Sequence, residues 1–260
     1  IDSFNDFDIN NDLGIPSSEP FSPYEGTLDA RLDWIVGRRG IPFLDWGVNP
    51  GMSWVRQQSV GGPYLHMKNA NPQAEPEARQ GNSSANSYNL IRFADVLLWA
   101  AEVEVEVGNL ELAEAYVNRV RARAADPESW VKKYKDNNAP MAGTTDEPAA
   151  NYKVGLYNGQ FSTNGKDFAR EAVRFERKLE MAMEHHRFFD LQRYDNGTGY
   201  MAEKLNAYIQ HETNIPDYNF YYMQGATFTK GKNEIYPIPQ AQIDLSHTND
   251  GPTLIQNPNY

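Results

Sequence analysis

The sequence predicts a mainly helical protein, built from helix hairpins joined to a long loop-rich remainder. Three observations carry that reading. Residues 169–194, AREAVRFERKLEMAMEHHRFFDLQRY, hold strong helix formers with no Pro or Gly, so they read as one long helix. Residues 88–125 repeat apolar side chains at helical spacing on both sides of Gly108, the pattern of a helix hairpin. Most of the rest is dense in Gly, Pro, Asn and aromatic residues and keeps neither a helical nor a strand period for long.

Taken in order, residues 1–27 are acidic and irregular. Asp6, Asp8, Asn10 and Asp12 alternate like the first ligands of a calcium loop. The twelfth position of such a loop is Ser17, where a full loop needs a bidentate Glu, so a bound calcium stands beside a solvated Asx-turn loop as the two readings. Residues 37–69 form a long loop rich in Gly, Pro and large rings. Trp46, Trp54 and Tyr64 offer flat faces, and Asp45, Asn49, Arg56 and Gln57 place hydrogen-bonding groups between them. Rings that stack on the C–H faces of a sugar, with polar groups that fix its hydroxyls, suit a carbohydrate. The bland reading is that the same rings pin the loop to the helices. Residues 70–87 read as a polar linker.

The first hairpin helix is expected from about Tyr88 to Val107, with Leu90, Ile91, Ala94, Leu97, Leu98, Ala101 and Val105 as its core stripe. Gly108 ends it. The second is expected from Leu110 to Ala125, packing through Leu112, Ala113, Tyr116, Val117 and Val120. A short helix is expected at Glu128–Tyr134 and surface loop up to residue 167. In the long helix after that, Val173, Glu176, Leu179 and Met183 share a face. The surrounding charges of both signs predict an inward ion-pair network of Arg177, Glu180, Glu184, Arg187, Asp190 and Arg193. Glu184, His186 and Asp190 can also be drawn as an acid, a base and an orienting carboxylate, with His186 and Asp190 at a metal-compatible spacing. Each has an Arg nearby and no nucleophile stands close, which favours the structural network. Beyond Gly199, Tyr200–Ile209 reads as a short helix. Residues 211–231 carry Tyr218, Phe220, Tyr221, Tyr222 and Phe228, as extended chain or as more binding surface. The chain ends in a Pro-rich segment expected to dock on the body.

The 260 residues carry 24 Lys and Arg against 35 Asp and Glu, a net charge of −11. Nucleic acid and anionic membrane surfaces need basic footprints, so this charge argues against both. With no cysteine in the chain, disulfides are excluded and the redox compartment is unreadable. No run is long and apolar enough for a membrane helix, and no signal peptide is legible.

Several motifs resemble one family. ERKLEMAMEHHRFFDLQRY is similar to the signature of the RagB/SusD nutrient-binding lipoproteins, ER-x-x-E-x-x-x-E-G-x-R-x-x-D-L-x-R-aromatic. Glu176, Arg177, Glu180, Glu184, Arg187, Asp190, Leu191, Arg193 and Tyr194 fit it, and His185 stands where the family has Gly. LDARLDW resembles the family's D-P-R-L segment, with Ala30 in place of Pro. NLIRFADVLLWAAEVEVEVGNLELAEAYVNRVRARA resembles its helix hairpin through Ile91, Arg92, Ala94, Leu97, Leu98, Glu102, Val120, Arg121 and Arg123. At the end, Pro237, Ile238, Pro239, Asp244, Gln256, Asn257, Pro258 and Tyr260 fit L-x-P-I-P-x-x-E-I-D…L-x-Q-N-P-G-Y, with Gln242 for the acid and Asn259 for Gly.

The resemblance implies a SusD-like fold of tetratricopeptide-type helix pairs, in which this chain is the C-terminal half of a longer lipoprotein. It implies partnership with that N-terminal half and with a SusC-like TonB-dependent transporter, and an outer-membrane, cell-surface location through a lipid anchor in the missing part. The function implied is non-catalytic capture of a nutrient, most often a glycan, with Trp46, Asn49, Trp54, Arg56 and Tyr64 as the expected ligand contacts and no cofactor. A rival reading is a polysaccharide hydrolase, for which Asp33 and Asp45 are the only carboxylate pair to nominate. A second rival is an intracellular helical-repeat adaptor.

Overall fold

In the computed structural model, residues 12–75, 79–80, 83–84, 88–214 and 223–260 are described. Asp6, Asp8 and Asn10, and Tyr218, Phe220, Tyr221 and Tyr222, lie outside them. The chain forms two compact units, residues 1–185 and 186–260.

The first unit is organised by three helices, α3 (Phe93–Val107), α4 (Leu110–Ala125) and α5 (Gln160–Glu180). Leu98, Ala101 and Val105 of α3, Ala113, Val117 and Val120 of α4, and Ala169, Ala172 and Val173 of α5 make one buried cluster. Alanines on all three helices bring the backbones close, as in helix-hairpin repeats. Gly108 takes φ 90° at the end of α3, the left-handed cap that only Gly adopts freely. The expected bounds of α4 are those observed. α3 begins five residues later than expected, and Leu90 and Ile91 are 74% and 62% exposed rather than in its core stripe. On its open side α3 also exposes Phe93, Val96, Val103 and Val107, an apolar stripe at i, i+3, i+10 and i+14.

A loop-rich segment lies before the hairpin. It contains the short helices α1 (Leu32–Ile35) and α2 (Gln58–Gly61), and β1 (Val36–Gly37) paired antiparallel with β2 (Leu65–His66). Backbone pairing also joins β3 (Arg79–Gln80) to β4 (Ser83–Ser84). Leu28, Ala30 and Ile41 from this segment share a second buried cluster with Val131 and Tyr152. The helix expected at Glu128–Tyr134 is instead a 3₁₀ turn at Pro127–Ser129 followed by β5 (Lys132–Tyr134). β5 pairs with β6 (Thr144–Pro148) across a register shift. Pro127 sits where it starts a turn, and the Asp126 carboxylate accepts from Glu128 N–H, so the turn closes before a helix can grow.

The single long helix expected over 169–194 is interrupted. α5 begins with a break at Gly165 (φ 83°, ψ −178°) and stops at Glu180. A turn follows in which Met183 and His185 take φ 62° and 65°, and α6 (Arg187–Asp195) starts the second unit. The stop has a tertiary cause. Lys68 Nζ donates to the Glu180 and Ala182 carbonyls at 2.9 and 3.0 Å, and Arg92 Nη2 donates to the Glu180 carbonyl at 2.7 Å. Cations from distant parts of the chain thus take up the carbonyls that a continuing helix would use.

In the second unit α6 packs on α7 (Tyr200–Thr213), four residues longer than expected. Asp195, buried at 3%, accepts from the N–H groups of Gly197 and Met201 and fixes the α6–α7 turn. The unit closes with α8 (Gln240–Leu245) and the β7 (His247–Thr248)–β8 (Gly251–Pro252) hairpin. Its Pro-rich ending is stitched by side chains. Gln256 exchanges two hydrogen bonds with the Ile238 backbone at 2.8 and 2.9 Å, and Asn257 Nδ2 donates to the Tyr236 carbonyl at 2.5 Å.

Candidate functional site

The charged frame of the first unit is the most deeply built part of the molecule. Glu176 is 0% exposed and accepts from Arg31 at 2.5 Å and Arg121 at 2.7 Å. Glu180 accepts from Arg92 at 2.6 Å, Arg123 at 2.5 Å and Arg31 at 3.2 Å. Arg177, 1% exposed, meets Asp95 at 2.6 Å and lies over the Trp99 ring at 5.6 Å. Glu184 binds Arg92 at 2.8 Å and also Lys68. Burial pushes Glu184 up, but the Arg92 and Lys68 donors outweigh it and hold the carboxyl below its usual range. A carboxylate held ionised between two cations is a poor general acid. Arg187, Asp190 and Arg193 fall in the other unit, where Arg193 meets Asp190 at 3.3 Å. Sequence spacing missed the partners from outside the signature helix: Arg31, Lys68, Arg92, Arg121 and Arg123 become its counter-ions only on folding.

The aromatic loop is anchored from below. The Tyr134 hydroxyl donates to the Leu44 carbonyl at 2.9 Å and lies 3.3 Å from Gly47 N–H, which donates to it. Arg39, 5% exposed, donates to the carbonyls of Pro16, Ser17 and Glu19. At Gly51 (φ 83°) a Cβ would lie 2.5 Å from Asp12 Oδ2 and 2.7 Å from Arg39 Cδ, so only Gly lets the loop close there.

The five expected ligand contacts divide sharply. Trp54 and Tyr64 are 39% and 40% exposed, and Arg56 is exposed. Trp54 stands edge-on to Phe43, with ring centroids 5.9 Å apart. The Phe43 ring and Leu65 both close over Gly37 and leave no room there for a Cβ. Trp46 is half-buried, and its indole N–H donates to the Asn71 carbonyl at 2.8 Å. Asn49 is 1% exposed and accepts from Gly51 N–H at 2.8 Å, a place inside the loop rather than on its surface. Asp12 is fully buried beside Arg39, and its carboxyl is raised by burial. Among the described residues no group of three or more His, Cys, Asp or Glu is placed to hold a metal.

The carboxylates nominated for hydrolysis are both engaged. Asp33, 0% exposed, takes Arg38 at 2.5 and 2.9 Å and the Tyr152 hydroxyl at 2.5 Å. Asp45 accepts from the backbone N–H groups of Gln73 and Ala74 at 2.5 and 2.8 Å. Each is held as a structural acceptor.

The first unit is thus a helical frame braced by buried ion pairs that carries a fixed loop with outward rings. The sequence matches the SusD family model over residues 6–260, and the chain belongs to that family. The fold is similar to that of a SusD homolog from Bacteroides thetaiotaomicron, with a TM-score of 0.53 and 23% identity. That likeness covers 89% of this chain and 41% of the homolog, so the chain spans about two fifths of that relative. No curated protein matches the sequence. Among the described residues no helix is long and apolar enough to cross a membrane.

Proposed function

We propose that this chain captures a glycan at the cell surface and passes it, unaltered, to a SusC-like TonB-dependent outer-membrane transporter. Family membership supports nutrient binding. The observation that favours a glycan is the exposed pair Trp54 and Tyr64, with Arg56, on a loop held rigid by Tyr134 and Arg39. Fixed rings bind without ordering costs, and flat faces beside polar groups suit sugars. The engagement of Asp33 and Asp45 speaks against the hydrolase reading.

The finer setting is part of the same proposal: a lipid anchor supplied by an N-terminal half of the protein, which also covers the apolar stripe on α3. Phe93, Val103 and Val107 are 64%, 60% and 70% exposed there, an arrangement suited to a further helix.

The test is calorimetry against a panel of neutral oligosaccharides. Trp54→Ala should weaken the best binder by about 1–3 kcal/mol with an unchanged melting temperature. Equal affinity in wild type and Trp54→Ala removes the loop from the site. Release of reducing ends from any panel member rejects the non-catalytic reading.

A further inference from the structure

We infer that the cleft at the C-terminal end of α5 is a second ligand site, for a saccharide that carries a carboxylate. This rests on the reading of the protein as a saccharide binder, but not on the aromatic loop.

The cleft lies wholly within the first unit and has a volume of about 440 Å³, within the ~300–1,000 Å³ typical of small-ligand sites. Two rings stand on its wall. Trp34 is 43% exposed, and its indole N–H is fixed to the Ser129 carbonyl at 2.7 Å. Tyr88 is 55% exposed, and its hydroxyl donates to the Glu184 carbonyl at 3.2 Å. Both are tied at their polar ends, which leaves ring surface for the C–H face of a sugar. Asn69 and Asn89 supply amides that can donate to and accept from hydroxyls.

The charge of the wall selects the ligand. Arg31, Lys68, Arg92 and Arg123 share the wall with Glu180 and Glu184, and Asp29 and Glu176 engage Arg31 as well, so the selection rests on the cation with donors to spare. Three of these cations are saturated. Arg31 serves Asp29, Glu176 and Glu180; Arg92 serves Glu180 and Glu184; Lys68 serves Glu184 and two carbonyls. Arg123 differs. Its side chain is 59% exposed, and it donates through Nη2 to Glu180 at 2.5 Å. Its Nε and Nη1 donors have no partner among the described residues. A planar fork with unused N–H groups matches a carboxylate, which it can hold by charge-assisted bonds. Glu180 and Glu184 on the same wall disfavour a doubly charged group, so a hexuronic acid, with one charge per sugar unit, fits better than a phosphorylated sugar.

The experiment is calorimetry of the 260-residue chain with trigalacturonic acid, its methyl ester, neutral galactotriose and a triglutamate peptide. Trigalacturonic acid should bind, and more weakly as salt rises. Arg123→Gln and Trp34→Ala should each lower its affinity at least tenfold, while Trp54→Ala leaves it within about twofold. Melting temperatures of each variant separate lost binding from lost folding, and Arg123→Gln leaves Glu180 with Arg31 and Arg92. Equal binding of the methyl ester, preference for the peptide, no binding of trigalacturonic acid, or indifference to Arg123→Gln overturns the inference. Loss of binding in Trp54→Ala but not in Arg123→Gln moves the acidic ligand to the loop and also overturns it. Neutral glycans bound through Trp54, with nothing acidic in the cleft, leave the proposed function standing while the cleft falls.

Discussion

His185 and Asn259 stand where the family pattern has Gly, and both take left-handed backbone, at φ 65° and 67°. The family glycines therefore mark turns rather than helix interior. Asn tolerates this conformation better than most residues, and the Asn259 side chain is held in place by a tertiary bond, Nδ2 donating to the Gly231 carbonyl at 2.8 Å. His185 has no such relief in its backbone, although its ring lies 6.2 Å from that of Tyr88. A left-handed non-Gly residue costs about 1–2 kcal/mol, and Gly loses about 0.5–1 kcal/mol more entropy on folding. His185→Gly should thus stabilise the chain by about 0.5–1 kcal/mol in urea unfolding. A destabilisation would show that the His185 ring contact outweighs the strain.

At the scale of elements, α3, α4 and α5 are held by two different forces. Small apolar side chains set the spacing, and buried carboxylates on α5 then collect arginines from α1's N-terminal flank, from α4 and from the start of α3. Such a network is unforgiving, because removing one partner leaves a buried charge behind. Glu176→Ala strands Arg121 and leaves Arg31 with Asp29 and Glu180 alone, and should cost about 3 kcal/mol in a denaturant titration. The exposed Lys133–Glu147 pair, 3.0 Å apart, is a control: Glu147→Ala should cost under about 1 kcal/mol. Comparable losses in the two variants would mean that the α5 network contributes no more than surface charge does.

Across the whole molecule, carboxylates held by neighbouring cations set the response to acid. Burial pushes Asp29 and Glu184 up, but Arg31 on the first, and Arg92 and Lys68 on the second, bring both below the ordinary range. Arg170, then Lys166 against a smaller burial effect, brings Glu106 to about 2. The unfolded chain binds protons at these groups more readily than the folded one, so their stabilisation is present above the usual carboxylate pKa of about 4 and is lost as pH falls below it. Asp12 and Glu212, both raised by burial, work in the opposite direction. Three depressed carboxylates, Glu106 as far as about 2, against two raised ones predict urea midpoints that hold from pH 7 to 5 and drop by pH 3. Glu184→Gln should shrink that drop. An unchanged drop assigns acid sensitivity to other carboxylates.

The sequence by itself determined the helix hairpin, because core spacing and Gly108 are local features, and it determined the family, because the signature is a fixed order of side chains. It also marked the residues that bear charge on α5 and the rings of the 37–69 loop. Where α5 stops was decided only in three dimensions: Lys68 and Arg92 cap it from 112 and 88 residues away along the chain. The same holds for Asn49, drawn inward to Gly51, and for Trp54, left outward on Phe43. Both belong to one polar, aromatic stretch, and local composition cannot distinguish a side chain that closes a loop from one that faces solvent. That distinction is set by contacts with distant parts of the chain: Tyr134 reaches in to the Leu44 carbonyl, and Arg39 reaches out from the loop to the carbonyls of Pro16, Ser17 and Glu19.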